Sequence, residues 1–133
     1  MSGISCKLPL SMDNVDGAYT LNKTLEEVVK QNLKMLLLTI PGERCMDLDF
    51  GIGIERYLFE NDTPVVREKI STRIHEQVGK YMPFVSVRDV FYGGVDDPSA
   101  SSPNSLRLTL HYHVDPISQD DMLNVDLPMA DKF

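Results

Sequence analysis

Tryptophan is absent, cysteine occurs twice, and no apolar run is longer than Met35 to Leu38. Each scarcity excludes something. A helix that spans a bilayer needs about 20 consecutive apolar residues, so none is expected here. The N-terminus lacks the basic segment and long apolar stretch of a signal peptide. Cys6 and Cys45 could form one bridge, but two cysteines make no disulfide framework. They read as reduced thiols of a soluble, cytoplasmic product. Basic residues are also scarce: 13 Lys and Arg stand against 20 Asp and Glu, for a net charge of -7. A pI near 4.8 argues against neutralising a phosphate backbone or docking on an anionic membrane. Neither a nucleic acid nor a membrane is an expected partner.

What is present is ordinary globular material. The 133 residues are 42% hydrophobic and 25% charged, which suits one domain with a single core. Residues 1–23 read as an extended N-terminal arm, residues 24–127 as the domain, and residues 128–133 as a C-terminal tail. Thr24 and Glu27 form a capping box. Leu25, Val28, Val29, Leu33, Leu36 and Leu37 then follow at helical spacing, and Pro41 ends that helix near Thr39. A Gly-punctuated loop over 42–53 leads to a short helix at 54–59. Asp62 or Thr63, with Pro64, starts a second long helix. Val66, Ile70, Ile74, Val78 and Tyr81 mark its buried face, and Arg67, Arg73, Glu76 and Lys80 are expected to face water. Strands are expected at 84–92 and 106–114, joined by a loop rich in Gly, Ser and Pro. A last strand or arm follows at 122–127. The pattern predicts an α+β fold, with two long helices and one short helix packed on a small, mostly antiparallel β-sheet.

Three clusters could carry chemistry, and each has a plainer reading. Glu43 with Asp47 or Asp49 could provide paired carboxylates for cleaving a glycosidic bond. No Trp and few aromatics are available to line a sugar cleft, and solvation of the loop with ion pairs accounts for these charges. His111 and His113 share a strand face and could ligate a metal, yet nothing nearby in sequence completes a site; a polar face is expected. Cys45 lacks the base that a thiolate nucleophile needs, and a small buried thiol is expected. No cofactor and no metal are predicted.

The most informative stretch is Leu36-Leu37-Leu38-Thr39-Ile40-Pro41-Gly42-Glu43-Arg44. It is followed by Asp49-Phe50-Gly51, then Tyr57-Leu58-Phe59-Glu60 and Thr63-Pro64. In order and spacing this run resembles the baseplate wedge proteins of contractile-tailed phages, a family with counterparts in R-type pyocins and type VI secretion baseplates. The resemblance extends over about residues 20–127. It implies a structural virion component, assembled in the host cytoplasm, that binds a core bundle of other wedge proteins. It also implies contact with the first ring of the tail sheath, and six copies per baseplate. The family's link to lysozyme-like activity makes a peptidoglycan-cleaving enzyme using Glu43 the rival reading.

Within that resemblance Pro41, Gly42, Phe50 and Gly51 form a structural turn. Glu43 and Arg44 are expected to fix ion pairs and to shape a partner surface. Val125 and Leu127 fall on a strand that could exchange with, or receive, a sheath strand. Two departures stand out. Met82-Pro83-Phe84 replaces the family's usual Glu-Pro-Arg, which implies an apolar partner contact there. Leu48 stands where many members have proline.

Overall fold

The computed structural model describes residues 3–8, 10–12, 14–15, 17–57, 63–93, 105–115 and 118–128, with the side chains of 105–106 and 126–128 left aside. Expectations that fall on Leu58, Phe59 and Asp62, the loop at 94–104, Pro116, the Leu127 side chain and the tail beyond 128 lie outside the described residues. The chain divides into two compact units, residues 1–35 and 36–133.

In the first unit, β1 (Ser5–Cys6) pairs antiparallel with β2 (Leu21–Asn22). Backbone bonds Ile4 N–H to Asn22 O (2.9 Å) and Lys7 N–H to Thr20 O (3.0 Å) extend this ribbon. Helix α1 (Leu25–Leu38) starts in this unit. Its capping box forms as read: Glu27 N–H donates to Thr24 Oγ1, and Glu27 Oε2 accepts from the Thr24 and Lys23 amides. Those backbone donors, Thr24 first, hold the Glu27 carboxyl below its ordinary pKa.

The arm is bound to its own helix through one side chain. Gln31 Oε1 accepts from Leu8 N–H at 3.0 Å and Asn22 Nδ2 at 2.8 Å, while its Nε2 donates to Cys6 O at 3.0 Å. The glutamine amide thus pairs with the arm's backbone much as a neighbouring strand would.

In the second unit, α2 (Ile54–Tyr57) and α3 (Pro64–Tyr81) precede β3 (Val85–Gly93), β4 (Ser105–Val114) and β5 (Gln119–Pro128). Thr63 caps α3 by accepting the Val66 N–H, with Pro64 in the first turn. The strands form one antiparallel sheet in the order β3-β4-β5. Central β4 alternates: Leu108, Leu110, Tyr112 and Val114 are buried, and Arg107, Thr109, His111 and His113 lie on the opposite, partly exposed face. Val125 and Leu123 of β5 are buried opposite Leu108 and Leu110. Ile70, Ile74 and Val78 bury one stripe of α3. Tyr92 on β3 donates its hydroxyl to Arg67 O on α3 at 3.0 Å, tying helix to sheet.

The α+β class stands, and the sheet expectation is corrected. Two separate sheets replace one, because β1 and β2 pair with each other under Gln31 and not with β3–β5. Helix α1 has 14 residues, α3 has 18, and α2 has four.

Candidate partner-binding site

The loop from Gly42 to Gly53 is bolted to α3. Gly42 has φ of 92°, which reverses the chain after Pro41, and its N–H donates to Leu48 O at 2.8 Å. Gly51 has φ of 110°, and a Cβ there would collide with the Thr39 carbonyl, so only glycine fits. The Gly51 N–H donates to Gln77 Oε1 at 3.1 Å. Its carbonyl accepts from Arg73, as does that of Asp49, at 3.3 and 3.2 Å. Ile52 N–H returns to Leu36 O at 3.0 Å, and Ile52 and Ile54 are fully buried.

Two of the loop's acids bond to the helix. Asp47 Oδ2 accepts from Tyr81 Oη at 2.7 Å and its Oδ1 from Asp49 N–H at 3.2 Å. Asp49 Oδ2 meets Lys80 Nζ at 3.1 Å, and Arg73 lies 3.8 Å from its other oxygen. The Tyr81 hydroxyl is the main reason the Asp47 carboxyl titrates below its ordinary range. The same bond raises the Tyr81 phenol, and the bond to Asp49 raises Lys80.

Beside this network two rings pack together with a cation at each end. The Arg44 guanidinium sits 3.9 Å from the Phe50 centroid, and Phe50 meets Tyr81 edge-to-face at 4.8 Å. Lys80 Nζ lies 5.1 Å from the Tyr81 ring.

The ion pairs expected at Glu43 and Arg44 are replaced by other contacts. Glu43 Oε2 accepts the Ile40 N–H at 3.1 Å, and Glu43 N–H donates to Ile40 O, closing the turn locally. Arg44 is taken up by the Phe50 face. Cys45 is exposed, contrary to the expected buried thiol. Arg73 and Lys80, expected to face water, are the loop's anchors. Glu76 lies 3.9 Å from Arg73, and Lys80 turns to Asp49.

The remaining predicted residues fall elsewhere. Met82 is 6% exposed and belongs to the core, whereas Phe84 is 39% exposed and Pro83 is exposed. The Phe84 carbonyl is held by Asp115 N–H at 3.1 Å. Strand β5 forms a sheet edge: β4 pairs with it along its length, and no described strand covers its far side. His113 Nδ1 lies 2.7 Å from Asp120, and His111 packs edge-on against Phe91 at 5.2 Å.

The clamped loop and the sheet lie on a recognisable frame. The family model described as Baseplate wedge protein gp25 matches residues 23–117, more than two thirds of the chain. The chain belongs to the baseplate wedge protein family. That family is a structural baseplate component of contractile, phage-like tails. The match includes the loop, α3, β3 and β4, and it stops just short of β5.

Solved structures agree on the fold. A component of the anti-feeding prophage baseplate, determined by cryo-EM with six-fold symmetry, is 30% identical over 81% of this chain and 82% of its own, with a TM-score of 0.66. A crystal structure from Geobacter sulfurreducens, named as a candidate tail lysozyme, is 20% identical over 86% of this chain and 99% of its own (TM-score 0.68). A chain of the post-contraction pyocin R2 baseplate is 16% identical over 91% of this chain and 99% of its own (TM-score 0.51). At those last two identities the likeness shows the fold. No curated protein sequence matches the chain.

Proposed function

We propose that this wedge-family protein is a non-enzymatic building block of a contractile tail baseplate. It binds the core bundle of its partner wedge proteins and joins the baseplate to the first sheath ring. Six copies assemble in the host cytoplasm into each baseplate. The family match over residues 23–117 carries this reading. The six-fold symmetry of the related prophage baseplate supports the copy number. The partner surface comprises Glu43 and Arg44 on the clamped loop and Pro83 and Phe84 beyond α3. Met82, expected with them, is buried in the core and is left out of that surface. The open edge of β5, with Val125 and Leu127 on it, receives a sheath strand by main-chain pairing.

The lysozyme-like rival is disfavoured by the geometry of the carboxylates. A glycosidase needs one carboxyl kept protonated near neutral pH by a raised pKa. Asp47 is shifted the other way by Tyr81. Glu43 is engaged with Ile40 N–H, and Asp49 with Lys80.

The test has two parts. The full chain, mixed with the other wedge proteins and the sheath protein of its particle, is run on size-exclusion chromatography, and co-elution is expected. Its effect on cell-wall turbidity should equal a buffer control. Clearing that vanishes in Glu43→Gln would establish the enzyme instead.

A further inference from the structure

We infer that β5 receives its partner strand only at Asn124 and Asp126, because Asp121 closes the edge ahead of them and Pro128 ends it behind. This rests on the sheath-joining role proposed above and fixes the register of that contact.

The ladder decides which backbone groups face outward. Asp115 N–H, one step past β4, reaches to Phe84 O at the start of β3 at 3.1 Å. Backbone groups of successive strand residues point to opposite sides. Val114, Tyr112, Leu110 and Leu108 therefore turn theirs to β5, where they meet Gln119, Asp121, Leu123 and Val125. That leaves Asp120, Met122, Asn124 and Asp126 with N–H and C=O groups on the open side. A separate bond agrees. Met122 N–H donates to Asp121 Oδ1 at 2.7 Å, so it is not turned toward β4. Val125 and Leu127 lie on the edge strand, yet their own N–H and C=O groups face β4.

The Asp121 carboxylate guards the edge. Its Oδ2 accepts from the hydroxyl of Tyr112, which is 1% exposed, at 3.0 Å. It is thus anchored on the neighbouring strand while its other oxygen covers the Met122 amide. Charged side chains commonly blunt a sheet edge in this way. Pro128 takes the next outward position after Asp126 and has no N–H to give. Between guard and proline, Asn124 and Asp126 present donors and acceptors that another extended main chain matches. The family match covers residues 23–117, so this window lies outside it.

Charge points to a strand from a different protein. Strand β5 carries Asp120, Asp121 and Asp126 and no Lys or Arg. A second β5 laid alongside would add only acids to the edge, and like charges on neighbouring strands destabilise the pair. A strand of the sheath protein is free of that conflict.

The test uses the full chain and the purified, unassembled sheath protein of its own particle. Asn124→Pro removes an outward N–H and should weaken binding about 10-fold or more in calorimetry. Met122→Pro removes an N–H that Asp121 already covers and should bind within about 2-fold of the wild type. Both variants should melt close to the wild type, because neither N–H bonds to β4. Hydrogen exchange on the wild type gives a second reading that needs no variant. The Asn124 and Asp126 amides should exchange at least about 10-fold more slowly in the complex, and the Met122 amide should change little. Equal losses in Asn124→Pro and Met122→Pro, or unchanged exchange at Asn124 and Asp126 in a complex that forms, overturn the window and leave the sheath-joining role intact. Dimerisation of the isolated chain that Asn124→Pro abolishes overturns the choice of a different protein as occupant. Failure of the wild type to bind the sheath protein overturns the sheath-joining role and the window with it.

Discussion

Gln77, 2% exposed on α3, accepts the N–H of Gly51 through its Oε1 at 3.1 Å. The bond satisfies a buried amide of the loop with the only polar side chain in the buried stripe of that helix. Replacing it by alanine leaves the Gly51 N–H without an acceptor and opens a void. Gln77→Ala should therefore lose about 2–4 kcal/mol of stability in urea titration. Gln77→Leu keeps most of the volume and should lose about 1–3 kcal/mol. Wild-type stability in both would show that the loop is held by other means.

Two glycines should respond with opposite signs. Gly51→Ala forces a Cβ into the Thr39 carbonyl at a positive φ, and a loss of about 3 kcal/mol or more is expected. Gly79 lies in α3 with open space around its would-be Cβ. Gly79→Ala should stabilise by about 0.5–1 kcal/mol, through helix propensity and a less free unfolded chain. Thermal melts of the two variants check both signs.

The Tyr81 hydroxyl sets the acid response of Asp47. A carboxyl with a lowered folded pKa contributes stability above its ordinary value, about 4. That contribution is lost as the pH falls through the folded value. Tyr81→Phe should return Asp47 toward ordinary titration and flatten the acid limb of the stability profile. NMR titration of the Asp47 carboxyl reads this directly, and an unchanged midpoint in Tyr81→Phe would refute it. On the alkaline side, Tyr81 and Lys80 have raised values. Their contributions are complete below about pH 10 and decline as each folded value is passed.

Arg44 lies over Phe50 at 3.9 Å and exposes the rest of its side chain. Arg44→Ala should cost only about 0.5–1 kcal/mol of stability. Glu43→Ala removes one hydrogen bond to Ile40 N–H and should cost about 0.5–1.5 kcal/mol. Both should weaken assembly by more than these folding losses explain. Equal assembly by both variants would remove Glu43 and Arg44 from the partner surface.

Much of this frame was legible in the residues. Helix α1 announced itself through the Thr24–Glu27 box and Pro41, and α3 through Thr63-Pro64 and its four-residue apolar repeat. Strand β4 was evident from strict alternation. These are local signals, each written within a few residues of its effect. The clamp was not legible, because its partners lie 22 to 34 positions apart: Arg73, Gln77, Lys80 and Tyr81 reach back to residues 47–51. Period alone put Arg73 and Lys80 in water, since it cannot see a loop returning over a helix. The resemblance, through the replaced Glu-Pro-Arg, implied a partner contact at Met82, whereas the chain turns that side chain inward before Pro83. Gln31 could have been noticed as a polar residue beside a buried helical stripe, but its bonds to the arm depend on the ribbon folding back.

The central claim is that the chain is a structural wedge of a contractile baseplate. Reconstruction of its own particle by cryo-EM tests this most directly. The account predicts six copies of the chain in the baseplate, with β5 against the first sheath ring. A baseplate complete without this chain, or the chain found only outside it, would contradict the account.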